Sequence, residues 1–224
     1  MTESADGVSE TERQIMEATF RALCEHGYAD LSIANIADEF EKSKSLLYYH
    51  YDSKDDLLAE FLGFAIEYFL ADLEADTGDD PVESLHRLVD RVLPVEFEGE
   101  AADAQRALVE LRVQAVTDGT FRARMTESDE RFAGHVRGLL VEAAEAGAIR
   151  DVDIDRTTAH LDAALSGAMF ARVTTDRPEA AAATRESLHR YIDDLRVDGR
   201  HADGNADDGH ADGDHEDGSA TDPE

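Results

Sequence analysis

Cysteine is nearly absent: Cys24 is the single one in 224 residues, which excludes an intrachain disulfide and a cysteine-built zinc cluster. It lies in the first helical stretch and is expected there as a small buried hydrophobe. Unbroken apolar runs are only a few residues long, well short of the ~20 residues that span a bilayer. The opening MTESADGVSETE is acidic and has no apolar segment of the kind a secretory signal carries, so a cytoplasmic protein without membrane association is expected. Strand-like alternation is missing as well, and the fold class read from the sequence is all-α. Also missing are a glycine-rich phosphate loop, a Ser-His-Asp arrangement with local context and paired metal-ligand spacing. His135, His160 and His189 stand isolated among helical residues. Catalysis is therefore disfavoured, and neither a cofactor nor a metal is expected.

Positive charge is scarce. The chain holds 52 acidic and 21 basic residues, a formal net charge of −31, which by itself argues against a partner as negative as DNA. Its distribution argues otherwise. All three lysines, Lys42, Lys44 and Lys54, fall within one window of 13 residues, and the other 18 basic residues are arginines. The overall acidity suits a high-salt cytoplasm, where the Debye length shrinks to roughly 3 Å near 1 M salt and distant carboxylates cease to repel phosphate. Only charges touching the DNA then count.

What is present is a succession of helices. Glu10 to His26 carries an apolar stripe of Ile15, Ala18, Thr19, Ala22 and Leu23, and Gly27 supplies a stop. Leu31 to Phe40 is a short second helix with Ser32 as its N-cap, and Ser43 caps a third running from Lys44 to His50. Ser53 caps a long helix holding Leu57, Leu58, Phe61, Leu62, Ala65, Ile66, Phe69 and Leu73, with Phe64 and Tyr68 on a second face. Pro81 opens the next helix, ending near Pro94. Further helices span Ala101 to Asp118, Phe121 to Ala146, Asp155 to Thr174 and Pro178 to Val197, about nine in all. From Asp198 onward Ala-Asp-Gly repeats without large apolar residues should be a disordered acidic tail. Its His201, His210 and His215 offer weak divalent-metal ligation at most, a solvated tail being the default.

The two short helices joined by a tight turn form a helix-turn-helix pattern over 32–51. In such a unit the second helix enters the major groove with its N-terminal residues at the base edges, while flanking donors hold phosphates. Lys44 can donate to guanine, Ser45 permits close approach and Leu46 suits a thymine methyl. Tyr48, Tyr49 and His50 offer rings and donors to the sugar-phosphate backbone. Lys54 adds its charge to a helix N-terminus, a natural phosphate clamp. Leu47 and Tyr51 are spaced to face the core, and Tyr48 could serve either role.

The segment from about Thr11 to Phe69 resembles the DNA-binding domain of the TetR family of regulators. The likeness rests on Gly27-Tyr28, Ser32-Ile33, Ile36-Ala37, Ser43, Leu47-Tyr48-Tyr49-His50-Tyr51 and Ser53-Lys54 followed by Leu57-Leu58. It implies base reading by Lys44, Ser45 and Leu46, and backbone contact by Tyr49, His50, Lys54 and, at the start of the second helix, Ser32. The turn departs from the usual glycine and small apolar residue, having Glu41 and Lys42, and Leu31 replaces a common threonine.

The resemblance further implies a flexible start at 1–8, a DNA-binding domain over 9–69 and a ligand-binding and dimerisation domain over 70–197. An unknown small-molecule effector would lie among Phe61, Phe64, Tyr68, Leu108, Leu111, Arg112, Phe121, Met125 and Phe132, with Arg112 paired to an acid or to an anionic ligand if it points inward. The last two helices would form a four-helix homodimer interface through Leu161, Leu165, Ala168, Met169, Leu188, Tyr191, Ile192 and Leu195. The small residues Ala163, Ala164, Ser166, Gly167 and Ala171 support close helix approach independently of the resemblance. The function expected is a sequence-specific transcriptional regulator, a ligand-responsive repressor on a palindromic operator. The alternative is a ligand-binding or protein-interaction dimer that has lost DNA binding.

Overall fold

The computed structural model describes residues 10–40, 44–75 and 80–197, and these form an all-α arrangement. The helices are α1 (Glu10–Asp30), α2 (Ile33–Glu39), α3 (Lys44–His50), α4 (Lys54–Ala75), α5 (Pro81–Val92), α6 (Gly99–Gln114), α7 (Gly119–Glu145), α8 (Ile154–Thr174) and α9 (Pro178–Leu195). The N-terminal arm, the α2–α3 turn with Glu41, Lys42 and Ser43, the side chain of Lys44, and the acidic tail lie outside the described residues.

Capping chemistry sets the boundaries. Ser32 accepts from the Asn35 N–H at 3.2 Å while Asn35 Oδ1 accepts from the Ser32 N–H at 2.9 Å, a reciprocal cap for α2. Ser53 Oγ accepts from the Asp56 N–H at 3.1 Å and starts α4. Asp80 caps α5 ahead of Pro81, and Asp118 accepts from the Thr120 and Phe121 N–H groups at 2.7 and 3.1 Å. Asp118 therefore belongs to the start of α7, which explains why α6 ends at Gln114 rather than Asp118. α9 likewise stops short of Val197. Its last residues are drawn into a bridge in which Val197 N–H donates to Ala148 O at 3.0 Å and Arg150 N–H to Leu195 O at 2.8 Å.

Helix α1 runs on past the expected stop. Gly27, at φ 67° and ψ 163°, bends the helix and a short further turn reaches Asp30. The left-handed φ favours glycine because a Cβ would crowd its own backbone. Cys24 corrects the expectation of burial: it is exposed on α1. Partial desolvation of the thiol, aided by the nearby Asp103 carboxylate, still pushes its pKa up to about 11, so it is an unreactive thiol at neutral pH.

Two apolar clusters form the interior. The first joins Ile15, Leu23, Leu31, Ile36, Phe40, Leu47, Tyr51, Leu57 and Phe61 of the N-terminal helices to Ala107 and Leu111 of α6 and Phe121 and Met125 of α7. The second gathers Leu73, Val82, Leu85, Leu88, Val89, Val136, Leu140, Leu161, Leu165, Leu188 and Ile192. Leu108 packs on both. The two halves are thus tied by α4, α6 and α7, each contributing to both interiors.

Candidate nucleic-acid interface

The short helix α3 presents two unlike faces. Leu47 is fully buried and Tyr51, just past the helix end, is 6% exposed, so an i, i+4 pair anchors the helix to the first cluster. Burial drives the Tyr51 hydroxyl well above its ordinary pKa, with Glu60 adding to the effect. On the other side Tyr48 is 60% and Tyr49 82% exposed, and Ser45 and His50 are exposed with them. The His50 ring lies edge-on to Tyr49 with centroids 5.3 Å apart. An anchored helix with aromatic and donor side chains left in solvent is the arrangement that groove insertion requires. Leu46 is half-buried against the core, so part of its surface remains for a base methyl.

Ser32 is exposed, with its hydroxyl occupied in capping α2. Lys54 is half-buried: its Nζ donates to Tyr28 O at 2.9 Å and sits 4.5 Å from the Tyr28 ring centroid, leaving further ammonium protons for a phosphate.

Tyr28 is a joint that sequence reading missed. Its N–H donates to Glu110 Oε2 of α6 at 2.6 Å, its hydroxyl to Asp55 Oδ1 of α4 at 3.1 Å, and its ring meets Phe121 of α7 edge-on at 6.1 Å. Desolvation, then Asp55, raises the pKa of its hydroxyl. The residue beside the α1 bend is thereby held by three helices, two of them from the C-terminal half. Only the Gly27-Tyr28 pair was visible beforehand; a partner 82 positions away leaves no local pattern.

The residues expected to line an effector pocket divide. Phe61, Leu111, Phe121 and Met125 are buried in the first cluster and Leu108 spans both clusters. Phe64 stacks on the exposed Tyr68, and Phe132 packs with Phe69 in the second cluster. Arg112 meets its expected acid, donating from two nitrogens to Asp129 at 3.0 and 2.6 Å. An open cleft of about 540 Å³ lies elsewhere, between α4 and α5, lined by Asp72, Leu73, Ala75, Arg87, Asp90 and Arg91.

Of the residues expected at a dimer interface, Leu161, Leu165, Ala168, Met169, Leu188, Ile192 and Leu195 are at most 7% exposed within one protomer, where they pack in the second cluster. The large residues of the α8–α9 hairpin close its own core against α5 and α7. Its outward face carries Ala163, Gly167 and the 43%-exposed Phe170, together with Ala183, Ser187 and the half-buried Tyr191, whose ring lies 4.9 Å from His160.

A solvent-facing recognition helix braced on a larger helical domain defines a DNA-binding regulator. Residues 15–61 match the model of bacterial regulatory proteins of the tetR family, and residues 81–197 match the C-terminal domain of BetI-type transcriptional repressors. A TetR transcription regulator of Haloarcula marismortui is 36% identical, with a TM-score of 0.74 over 85% of this chain and 100% of that one. A transcriptional regulator of Saccharomonospora viridis, solved with choline, is 25% identical with a TM-score of 0.71 over 85% of this chain and 100% of its own. The transcriptional repressor AcnR of Corynebacterium efficiens is 25% identical over 84% of this chain and 92% of its length. The chain belongs to the tetR family, with a BetI-type C-terminal domain. It is a DNA-binding, ligand-responsive transcriptional repressor, and its family and these relatives are transcriptional regulators. No described helix is long and apolar enough to cross a membrane.

Proposed function

We propose that the protein represses transcription by binding a palindromic operator as a homodimer in a high-salt cytoplasm. Residues 9–69 would serve as reading head, with 32–51 as the helix-turn-helix, and residues 70–197 would take a small-molecule effector and form the dimer. The observation that carries the reading is α3 itself, anchored by Leu47 and Tyr51 while Tyr48, Tyr49 and His50 stand in solvent. The three lysines, all within positions 42–54 of a chain of net charge −31, support a local electrostatic footprint on phosphate. Lys44, Ser45 and Leu46 would read bases, and Ser32, Ser43, Tyr49, His50 and Lys54 would hold the backbone. Twofold binding would set the two recognition helices about 34–36 Å apart, or further on a longer operator.

The outward small-residue face of α8 and α9 would be the subunit contact, with Phe170 as its largest apolar group. An effector that favours misspaced reading heads must lower DNA affinity, and DNA must lower effector affinity by the same factor. Tyr28, held by Glu110 and packed on Phe121, is the route by which α6 and α7 would move the head. A gel shift with the DNA flanking the protein's own gene, in molar potassium salt, tests the reading. Retarded complex, lost on Tyr49→Ala, is expected; no complex at any salt concentration overturns it.

A further inference from the structure

His189 stands alone in the sequence, yet across the seam between α5 and α9 it meets His86, with 2.6 Å between their Nδ1 atoms. The ring planes differ by 12° and the centroids are 4.9 Å apart. That separation is the Nδ1–Nδ1 distance plus one ring radius on each side, so both nitrogens lie on the line joining the centroids. The rings therefore meet edge to edge and nearly coplanar, the alignment of an N–H···N hydrogen bond. Their outer nitrogens are engaged as well: His86 Nε2 lies 3.1 Å from Asp193 Oδ1, and His189 Nε2 lies 2.8 Å from Asp90 Oδ1. Both imidazoles are half-buried.

These contacts fix a number of protons. An ionised aspartate only accepts, so each Nε2 must carry a proton. The Nδ1 pair needs one more, because two lone pairs, or two N–H groups, repel each other at 2.6 Å. Three bonds over four nitrogens thus require three protons. Two neutral imidazoles bring two and two imidazoliums bring four. The state that fits is one imidazole and one imidazolium sharing the central proton, with a single positive charge. A metal held by both Nδ1 atoms would need them over about 3 Å apart, given bonds of about 2.0–2.1 Å.

The surroundings accommodate one charge. Asp90 of α5 also pairs with Arg185 of α9, and Asp193 of α9 lies 3.8 Å from Arg196, which follows that helix. Arg196 reaches Asp80 and Glu83 at the start of α5, Arg190 pairs with Glu186, Arg91 with Asp72 of α4, and Arg87 donates to Ser84 Oγ. From α8, Arg172 faces Arg185, while α7 turns Val136, Leu139, Leu140 and Ala143 to the interior. Asp90 and Asp193 are balanced by Arg185 and Arg196, so a lone imidazolium has two carboxylates to itself and a second adds repulsion.

We propose that His86 and His189 bind one proton between them and that this proton latches α9 to α5. Acid opens the latch by setting N–H against N–H, and alkali opens it by setting lone pair against lone pair. α9 also carries Ser187 and Tyr191 on the outward face of the hairpin, so its release would disturb the subunit contact; this last step alone rests on the function proposed above. The sign of the pH dependence follows from the count. On the acid side the unfolded chain binds four protons at these rings against three when folded, so stability rises with pH; on the alkaline side it binds two against three, so stability falls.

The test combines nitrogen NMR of the imidazoles in the full chain with denaturant unfolding from about pH 5 to 8. The double variant His86→Gln/His189→Gln cancels every other titration. At neutral pH both Nε2 atoms should be protonated, with one proton shared by the two Nδ1 atoms. The folding constant relative to the double variant should pass through a maximum, each limb approaching tenfold per pH unit. The wild-type spectrum needs no variant and so guards against one that misfolds. A ratio that is flat or runs one way overturns the latch, as do two Nδ1 atoms without a proton at neutral pH, or rings that titrate independently like the exposed His160. Stability raised by equimolar zinc in the wild type alone overturns the proton in favour of a metal. A gel shift over the same range reports the last step: operator affinity should follow the maximum, and affinity indifferent to pH overturns that step. Absence of any retarded complex would fail the DNA reading and leave the NMR result standing.

Discussion

Glu110 of α6 accepts a 2.6 Å hydrogen bond from the main-chain N–H of Tyr28, the residue that follows the left-handed Gly27. The contact ties the bend of α1 to the helical domain by a charge-assisted bond, so that a displacement of α6 pulls directly on the reading head. Glu110→Gln keeps the shape and weakens the bond. It should lower stability by about 1 kcal/mol, the solvent-exposed bond being worth less than a buried one. The same variant should also shrink the effector's influence on operator affinity, read by gel shift with and without effector.

Gly27→Ala probes the same joint from the backbone. The added Cβ would meet Glu110 Oε2 at 3.4 Å, an ordinary contact, so what opposes it is the backbone strain of a side chain at a φ of 67°. A loss of about 1–2 kcal/mol in denaturant unfolding is expected. An unchanged midpoint would show that the bend relaxes without cost.

The two faces of α3 should separate in mutagenesis. Leu47→Ala removes a fully buried side chain and should cost about 2–5 kcal/mol. Tyr49→Ala, at an 82%-exposed position, should leave the melt within about 0.5 kcal/mol of wild type yet weaken operator binding at least tenfold. A Tyr49→Ala protein that binds operator normally would remove that ring from the interface.

Lys54→Met should weaken binding to all DNA sequences alike and lower the slope of log K against log salt by about 1, as loss of one phosphate contact does. The melt would report separately the loss of the ammonium that now bridges to Tyr28 O.

The helix order and the face of α3 that meets solvent were legible in the sequence, because caps and i, i+4 spacing are local. Ser32, Ser53, Asp80 and Asp118 close helices whose apolar stripes were already visible. What covers the apolar stripes of α8 and α9 was not legible, for a physical reason. Leu161 and Leu165 looked like contact residues because burial against a partner and burial against one's own α5 ask for the same side chains. Helical periodicity names the apolar stripe but not what covers it. The Tyr28 joint was illegible because its partners, Asp55, Glu110 and Phe121, lie far from it in the chain.

The outward face proposed for the subunit contact makes its own prediction. Phe170→Glu places charge on the outward surface of the α8–α9 hairpin without entering the protomer core. It should convert a dimer to folded monomer in sedimentation, with a normal helical signature and greatly reduced operator affinity. A dimer that persists would move the subunit contact elsewhere.

Asp162 gives a pH signature. Desolvation, then the neighbouring Asp129 carboxylate, raises its folded pKa above the ordinary aspartate value, opposed by Arg112. The folded state thus holds this proton more tightly than the unfolded one, and the penalty grows as pH climbs through the raised pKa, being complete above it. Asp162→Asn should therefore raise Tm at neutral pH, and the gain should fade as the solution is acidified below the carboxylate's range.

The length of α7 has a consequence for how the protein was assembled and how it can be taken apart. Its 27 residues form a rod of about 40 Å, with Phe121 and Met125 at one end in the head's interior and Val136, Leu139 and Leu140 at the other in the sensor's. Neither interior is closed without it. A head excised at the end of α4 would leave Leu23, Leu57 and Phe61 facing water where Leu111, Phe121 and Met125 had been. The reading head is consequently not a cassette that can be grafted onto another sensor: specificity and sensing are exchanged together, or with α6 and α7 carried along.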